Sequence, residues 1–227
     1  MLFWIIFLES SYLVKSFLFL YDLELCNGTT KINIHSTFLF NSDIFLLLGG
    51  TEMNFINHFK TITAHKLLVM KYCFKLGLYK QGLLHDLSKY SWIEFSAGIK
   101  YYKGYVSPNG IQKVKEGCSP AWLHHKGRNK HHFEYWIDYG IREEDGLMGM
   151  KMPTKYVVEM FVDRMCASKN YLKEKYEDSS SLEYYEERKD NYLIHPESRR
   201  LLENLLKMLA ENGEEKTIQH IKKKILV

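Results

Sequence analysis

The sequence predicts an all-α protein, and three observations carry that prediction. From Met53 onward apolar residues recur at helical spacing, helix starts and stops fall at matching places, and no segment alternates at the period of a strand. No internal repeat is present. At 227 residues and 46% hydrophobic content, the chain suits one domain with a substantial core and a possible appendage.

Phe55, Ile56, Phe59, Ile62, Leu67, Val69, Met70, Cys73, Phe74 and Leu76 form the stripe of a first helix, and Gly77 is its stop. A second helix starts near Tyr79 and is expected to carry His85, Asp86 and Lys89. Ser91-Trp92-Ile93-Glu94 reads as a capping box opening a third helix to about Tyr102. Gly104, Pro108, Gly110 and Gly117 make 104–118 a loop with at most one short helix. Ser119-Pro120 is a cap and first-turn pair for a short helix through His125, closed by Gly127. Asn129 is the expected cap of the next, which opens with Lys130-His131-His132-Phe133. Residues 139–152 read as glycine-containing loop, and Pro153 opens a long helix over 153–176. Later helices fit 180–190, 196–212 with Gly213 as its stop, and 214–225.

Residues 1–52 differ from the rest, being rich in Phe, Leu and Ile. Their apolar runs are short: Leu2 to Leu8 stops at Glu9, Leu18 to Tyr21 at Asp22, and Ile44 to Leu48 at Gly49. A spanning helix needs about 20 apolar residues, and none of these runs supplies them. There is no basic n-region or small-residue cleavage site of a secretory signal. A weak anchor over residues 2–20 is the alternative, at the cost of Glu9 and Lys15. Leu48-Gly49-Gly50-Thr51-Glu52-Met53 reads as a translated ribosome-binding sequence before an initiator, so 1–52 is expected to be an upstream extension and 53–227 the domain.

A net charge of +4 and a pI near 8.7 are only mildly basic, and no basic arm, RNA-binding signature or finger spacing is present. That balance is compatible with an anionic small molecule as partner and gives no clear nucleic-acid signature. Cys26, Cys73, Cys118 and Cys166 are scattered without a Cys-x-x-Cys pair, which fits packed thiols in a reducing, cytoplasmic setting.

Seven of the ten histidines fall between residues 58 and 132. His85-Asp86 stands in Gly-Leu-Leu-His-Asp-Leu-Ser-Lys, His65 lies twenty residues earlier, and the pairs His124-His125 and His131-His132 follow. Asp163 sits among Met160, Phe161 and Val162, where an unpaired carboxylate would be costly to bury. Imidazole and carboxylate together point to a divalent metal site. His65, His85, Asp86 and Asp163 are the primary ligand candidates. Of His124, His125, His131 and His132, one or two are read as ligands of a second metal, His125 and His131 first, and the others as orienting groups.

Lys89 follows Asp86 by three residues and is read either as a phosphate- or water-orienting group or as a solvated lysine. Arg164 and the basic loop holding Arg128 are candidates for clamping phosphate. His58 is expected behind the site or exposed, while His35, His195 and His220 lie outside the cluster.

A first His, then His-Asp, then further histidines and a later Asp resembles the HD-domain superfamily of metal-dependent phosphohydrolases. Gly-Leu-x-His-Asp-Leu-Ser-Lys, Trp-Leu-His-His-Lys and Asn-Lys-His-His are also similar to a family of uncharacterised bacterial and phage proteins. The superfamily resemblance implies an HD-type helical bundle holding one or two ions of Mn, Co, Ni, Zn or Fe. It further implies hydrolysis of a phosphate ester, with Asp86 and Lys89 catalytic. Its mixed-valent di-iron members make an oxygenase the alternative, and a non-catalytic nucleotide- or metal-binding module is the other. Oligomeric state, substrate and metal identity stay open at this level.

Overall fold

The computed structural model describes the backbone of residues 22–26, 29–33 and 42–226, with side chains from Met53 to Leu226. The apolar runs at 2–8 and 18–21, the anchor alternative over 2–20 and His35 lie outside the described residues. The chain divides into two compact units, Met1–Leu48 and Gly49–Val227. The first contains an antiparallel ribbon of β1 (Asp22–Cys26) and β2 (Thr29–Asn33), with Asp22 opposite Asn33 and Cys26 opposite Thr29.

Helix α1 spans Ser42–Lys75. Gly77, at φ +77°, ends its run as expected. The amide of Leu78 donates to the Cys73 carbonyl at 2.8 Å and that of Gly77 to Phe74 at 3.1 Å, the paired bonds of a left-handed helix stop. Then follow α2 (Tyr79–Leu84), a 3₁₀ turn (Leu87–Tyr90), α3 (Trp92–Tyr101), α4 (Pro108–Glu116) and α5 (Pro120–Lys126). Next come α6 (Thr154–Leu172), α7 (Ser180–Glu186), α8 (Pro196–Asn212) and α9 (Glu214–His220), the last continuing as a π-turn over Ile221–Ile225. Helix predominates, as predicted, and among the described residues no helix is long and apolar enough to cross a membrane.

Helix α6 is the hub of the second unit. Val157, Val158, Met160, Phe161, Val162, Met165 and Cys166 on it are all buried, which no single-faced surface helix would show. Around it pack Val69, Tyr72, Cys73 and Leu76 of α1, Leu202, Leu205, Leu206 and Leu209 of α8, and Ile218 and Ile221 at the C-terminal end. Any acidic residue on α6 is thereby delivered into the interior.

Three local expectations are corrected. The second helix stops at Leu84, and Asp86 adopts a left-handed φ of +53°, so His85 and Asp86 do not sit side by side on a helix. Residues 130–133 form no α-helix. The Asn129 side chain turns back to donate to the His125 carbonyl at 2.8 Å instead of capping forward, and a 3₁₀ turn follows at Phe133–Trp136. The expected loop over 139–152 is instead largely a short hairpin that starts at Ile137, with β3 (Ile137–Tyr139) paired antiparallel with β4 (Leu147–Gly149) and reversed by a 3₁₀ turn at Glu143–Asp145.

One close approach explains a glycine. A Cβ on Gly98 would stand 1.9 Å from Nε2 of His58, whose ring is buried against Phe95 and Tyr102. Burial, with the Lys89 charge nearby, pushes the His58 pKa down to about 4. His58 is therefore a packed neutral ring away from the cluster. Gly98→Ala is expected to destabilise by about 1–3 kcal/mol through overpacking. Thermal unfolding followed by circular dichroism should show the midpoint several degrees lower; an unchanged midpoint would mean the ring swings away freely.

Candidate metal centre

Four short structural devices bring the site together. Lys66 on α1 donates to the carbonyls of Leu83 and His85, both at 2.8 Å, tying off the end of α2 and fixing the chain at His85. The left-handed turn at Asp86 then swings its carboxylate inward; Asp tolerates that conformation better than most residues. Ser119 Oγ accepts the Trp122 amide at 3.0 Å and starts α5, which carries His124 and His125. Asn129, bonded to Ser88 Oγ at 2.8 Å, holds the turn that presents His131 and His132.

The result is three groups whose atoms could each hold a metal ion: two that share Asp86, described next, and a third of His85, His131 and Glu159. In the first, His65 Nε2 lies 2.9 Å from Asp163 Oδ1, 3.5 Å from His85 Nε2 and 3.7 Å from Asp86 Oδ2. His85 Nε2 is 3.3 Å from Asp86 Oδ2 and 3.5 Å from Asp163 Oδ1. In the second, Asp86 Oδ1 faces His125 Nε2 at 3.3 Å and His131 Nε2 at 3.4 Å, while His125 and His132 oppose their Nε2 atoms at 2.8 Å. Ligands about 2.0–2.2 Å from one ion stand about 3.0–3.4 Å apart at tetrahedral or octahedral angles, which these separations bracket.

Hydrogen bonding points the same way. Both oxygens of Asp86 and Nε2 of His131 are buried without a hydrogen-bond partner of good geometry, although Lys89 Nζ lies 2.5 Å from Asp86 Oδ2. Orphaned buried acceptors are costly, and a cation between them removes that cost.

Charge states follow from the surroundings. Burial opposes ionisation of Asp86, yet His85, Lys89 and His125 hold its carboxyl well below the usual range. Burial likewise works against Asp163, but hydrogen bonds from His65 and His85 keep it ionised. Burial drives the His65 pKa down despite Asp163, and drives His132 down further with help from His131 and His125. His85 goes the other way: burial lowers its pKa, but Asp86, Asp163 and Glu159 together raise it well above the ordinary value. Burial also lowers Lys89, and Asp86 and Asp163 outweigh it, so this lysine stays firmly cationic.

Two carboxylates that sequence reasoning missed brace the histidines from behind. Glu159 Oε1 accepts from Nδ1 of His85 at 3.1 Å and lies 3.2 Å from Nδ1 of His131. It stands one helical turn before Asp163 on α6 and is itself buried. Its signal was present: an acid inside the apolar run Val157-Val158-Glu159-Met160-Phe161-Val162. Glu94 bonds Nδ1 of His124 at 2.6 Å and Nδ1 of His125 at 2.8 Å. It had been read as half of a capping box, but Ser91 makes no side-chain cap bond and its hydroxyl is left unpaired. A carboxylate on Nδ1 leaves Nε2 bare and aimed at an ion.

Among the candidate residues, the structure gathers His65, His85, Asp86, His125, His131, His132 and Asp163, with Lys89 alongside. It does not bring His124 into either group; that ring serves Glu94. Arg128 is exposed and its guanidinium caps the His124 carbonyl at 3.3 Å. Arg164 points away from Asp163 because successive helical side chains diverge by about 100°. Its guanidinium packs on the rings of Tyr185 and Tyr192, 5.6 and 5.2 Å from their centres.

Fold and site thus define a helical protein with a buried histidine–carboxylate cluster able to bind metal. The chain belongs to the Family of unknown function (DUF5662), whose model matches residues 54–208 and so spans every residue of the cluster. Comparisons with curated proteins and with solved structures give no match.

Proposed function

We propose that this chain is a metal-dependent hydrolase of phosphate esters, working in a reducing cytoplasmic setting. The observation that carries the reading is Asp86: one buried carboxylate, ion-paired to Lys89 through Oδ2, whose two oxygens face separate groups of histidines. Its order of residues, His65, His85-Asp86, paired histidines and Asp163, resembles the HD-domain pattern, which supports the same chemistry. Divalent ions supply Lewis acidity and an acidified nucleophilic water. His65, His85, Asp86 and Asp163 would hold one such ion, and Asp86, His125, His131 and His132 a second.

The remaining groups have roles that follow from their positions. Lys89, cationic and 28% exposed at its side chain, sits where it neutralises a phosphate oxygen beside Asp86. Glu159 and Glu94 keep three rings in the tautomer that leaves Nε2 free. Asp163, its side chain 16% exposed, and His132, also only partly buried, mark where the cluster opens to solvent.

Elemental analysis of the purified chain is the direct test, followed by a screen of phosphomonoesters, diesters and nucleotides. Near-stoichiometric Mn, Co, Ni or Zn with turnover is the expected result. Two irons per chain would favour oxidation chemistry instead, and a folded chain that takes up no metal after reconstitution overturns the proposal. Metal should also stabilise: at a free concentration a hundred times Kd the linkage is about 2.7 kcal/mol. Chelation with EDTA is accordingly expected to lower the thermal midpoint, and re-addition of the ion to restore it.

A further inference from the structure

The net charge of +4 averages three unlike stretches of chain. Residues 53–133 carry thirteen Lys and Arg against three Asp and Glu, a net of +10, whereas residues 134–227 carry sixteen against nineteen and residues 1–52 two against five. The basic stretch supplies every candidate ligand of the cluster except Glu159 and Asp163. Its three acids are all engaged. Asp86 and Glu94 are buried in the cluster, and Glu116 is held by Tyr101, by Lys100 at 3.0 Å and by Gln112 at 2.9 Å. The stretch itself therefore contributes cations with no unengaged carboxylate of its own.

These cations come right up to the cluster. Lys126, Arg128 and Lys130 fill the short segment between the two histidine pairs, each within three residues of a cluster histidine, about 11 Å of chain at most. Lys113 of α4 stands 5.3 Å over the ring of Trp122, and that indole in turn lies against His125 and His132 at 5.6 and 4.9 Å. Lys130 stands 5.6 Å over the part-exposed ring of Tyr135. One phosphate at the cluster is answered by Lys89 alone. The surplus cations, interleaved with aromatic rings, fit an extended anion whose unpaired bases stack while its backbone is neutralised.

Resting on the hydrolase reading, we propose that the substrate of this site is the phosphodiester backbone of a single-stranded nucleic acid. The strand runs along α4 and the 126–130 segment towards Lys89 and Asp163. His85, His125 and His131 are each 1% exposed, which is too enclosed for a paired helix to reach and favours a single strand or a chain end.

The test is fluorescence anisotropy of the full chain with labelled oligo(dT) and oligo(U) of about 20 nucleotides, over a range of KCl concentrations. Affinity should fall with salt, and a preference for DNA or RNA identifies the polymer. Lys113→Gln/Arg128→Gln/Lys130→Gln alters only exposed cations. It should weaken binding by about tenfold or more and flatten the log–log salt slope by about 2, at 0.7 per lost phosphate contact. Lys173→Gln/Lys175→Gln/Lys207→Gln, equally exposed but outside the basic stretch, should leave both unchanged. Absence of binding, equal loss in the two triple variants, or a duplex held as tightly as the single strand would overturn the inference. Protein that hydrolyses bis(p-nitrophenyl) phosphate but ignores the strands fails here alone; protein that binds strands yet hydrolyses no ester fails the hydrolase reading alone.

Discussion

Asp86→Asn is expected to abolish metal loading and to lower phosphoesterase turnover by about a thousandfold or more, while leaving the helical fold in place. The choice of asparagine matters. Residue 86 sits at φ +53°, a conformation that Asp and Asn both visit readily but that costs an alanine about 1–2 kcal/mol. Alanine would mix backbone strain with ligand loss; asparagine keeps the turn and the volume. What it removes is the charge and one of the two oxygens that face His85 on one side and His125 and His131 on the other. Because that carboxylate belongs to two of the three groups, neither of those two survives its loss intact. Metal content per chain by plasma mass spectrometry, beside far-ultraviolet circular dichroism, reads the two effects separately. A variant that folds and still carries the wild-type complement of metal would remove Asp86 from its bridging place and with it the main support for hydrolysis.

How much of this was legible in the sequence differs from level to level. Helix boundaries set by local chemistry came through: Gly77 stops α1, Ser119-Pro120 starts α5, and α8 occupies Pro196–Asn212 before Gly213. Each depends on residues within one turn of each other. What failed was long-range competition for a side chain. Glu94 fits a capping box in its own neighbourhood, but two histidines thirty residues away offer it charge-assisted bonds that a backbone amide does not match. Asn129 likewise looks forward as a cap and in the fold turns back to His125 and Ser88.

The residues of the cluster were legible because histidine is scarce and its clustering is visible at any distance along the chain. Their second supports were not, since a glutamate is common and only its burial makes it unusual. The charge pattern was legible in principle. Taking the mean over 227 residues hid a net of +10 in the one stretch that surrounds the cluster. Arg164 shows the opposite error: its place beside Asp163 in sequence suggested a shared task, and helical geometry sends it to Tyr185 and Tyr192 instead.

Glu159 carries the second large expected effect, and the pattern of that effect is its signature. Its Oε1 faces Nδ1 of His85, which serves one group, and Nδ1 of His131, which serves the other. Glu159→Leu removes the acceptor shared by both rings, leaves two buried ring N–H groups at about 1–3 kcal/mol each, and frees both rings to turn. Supporting carboxylates of this kind are worth about 10–100-fold in metal affinity, so both binding steps should weaken by that order. His65→Ala is expected to weaken only the step that uses Asp163, and His132→Ala only the other. Titration with Co²⁺, followed by the visible absorption of the ion, distinguishes these cases because each step alters the ligand field separately. Glu159→Gln keeps an oxygen for the two N–H groups and should fall between wild type and the leucine variant, which guards against a mere failure to fold. If the leucine variant folds and loses only one step, Glu159 supports a single histidine, and the two groups are linked through Asp86 alone.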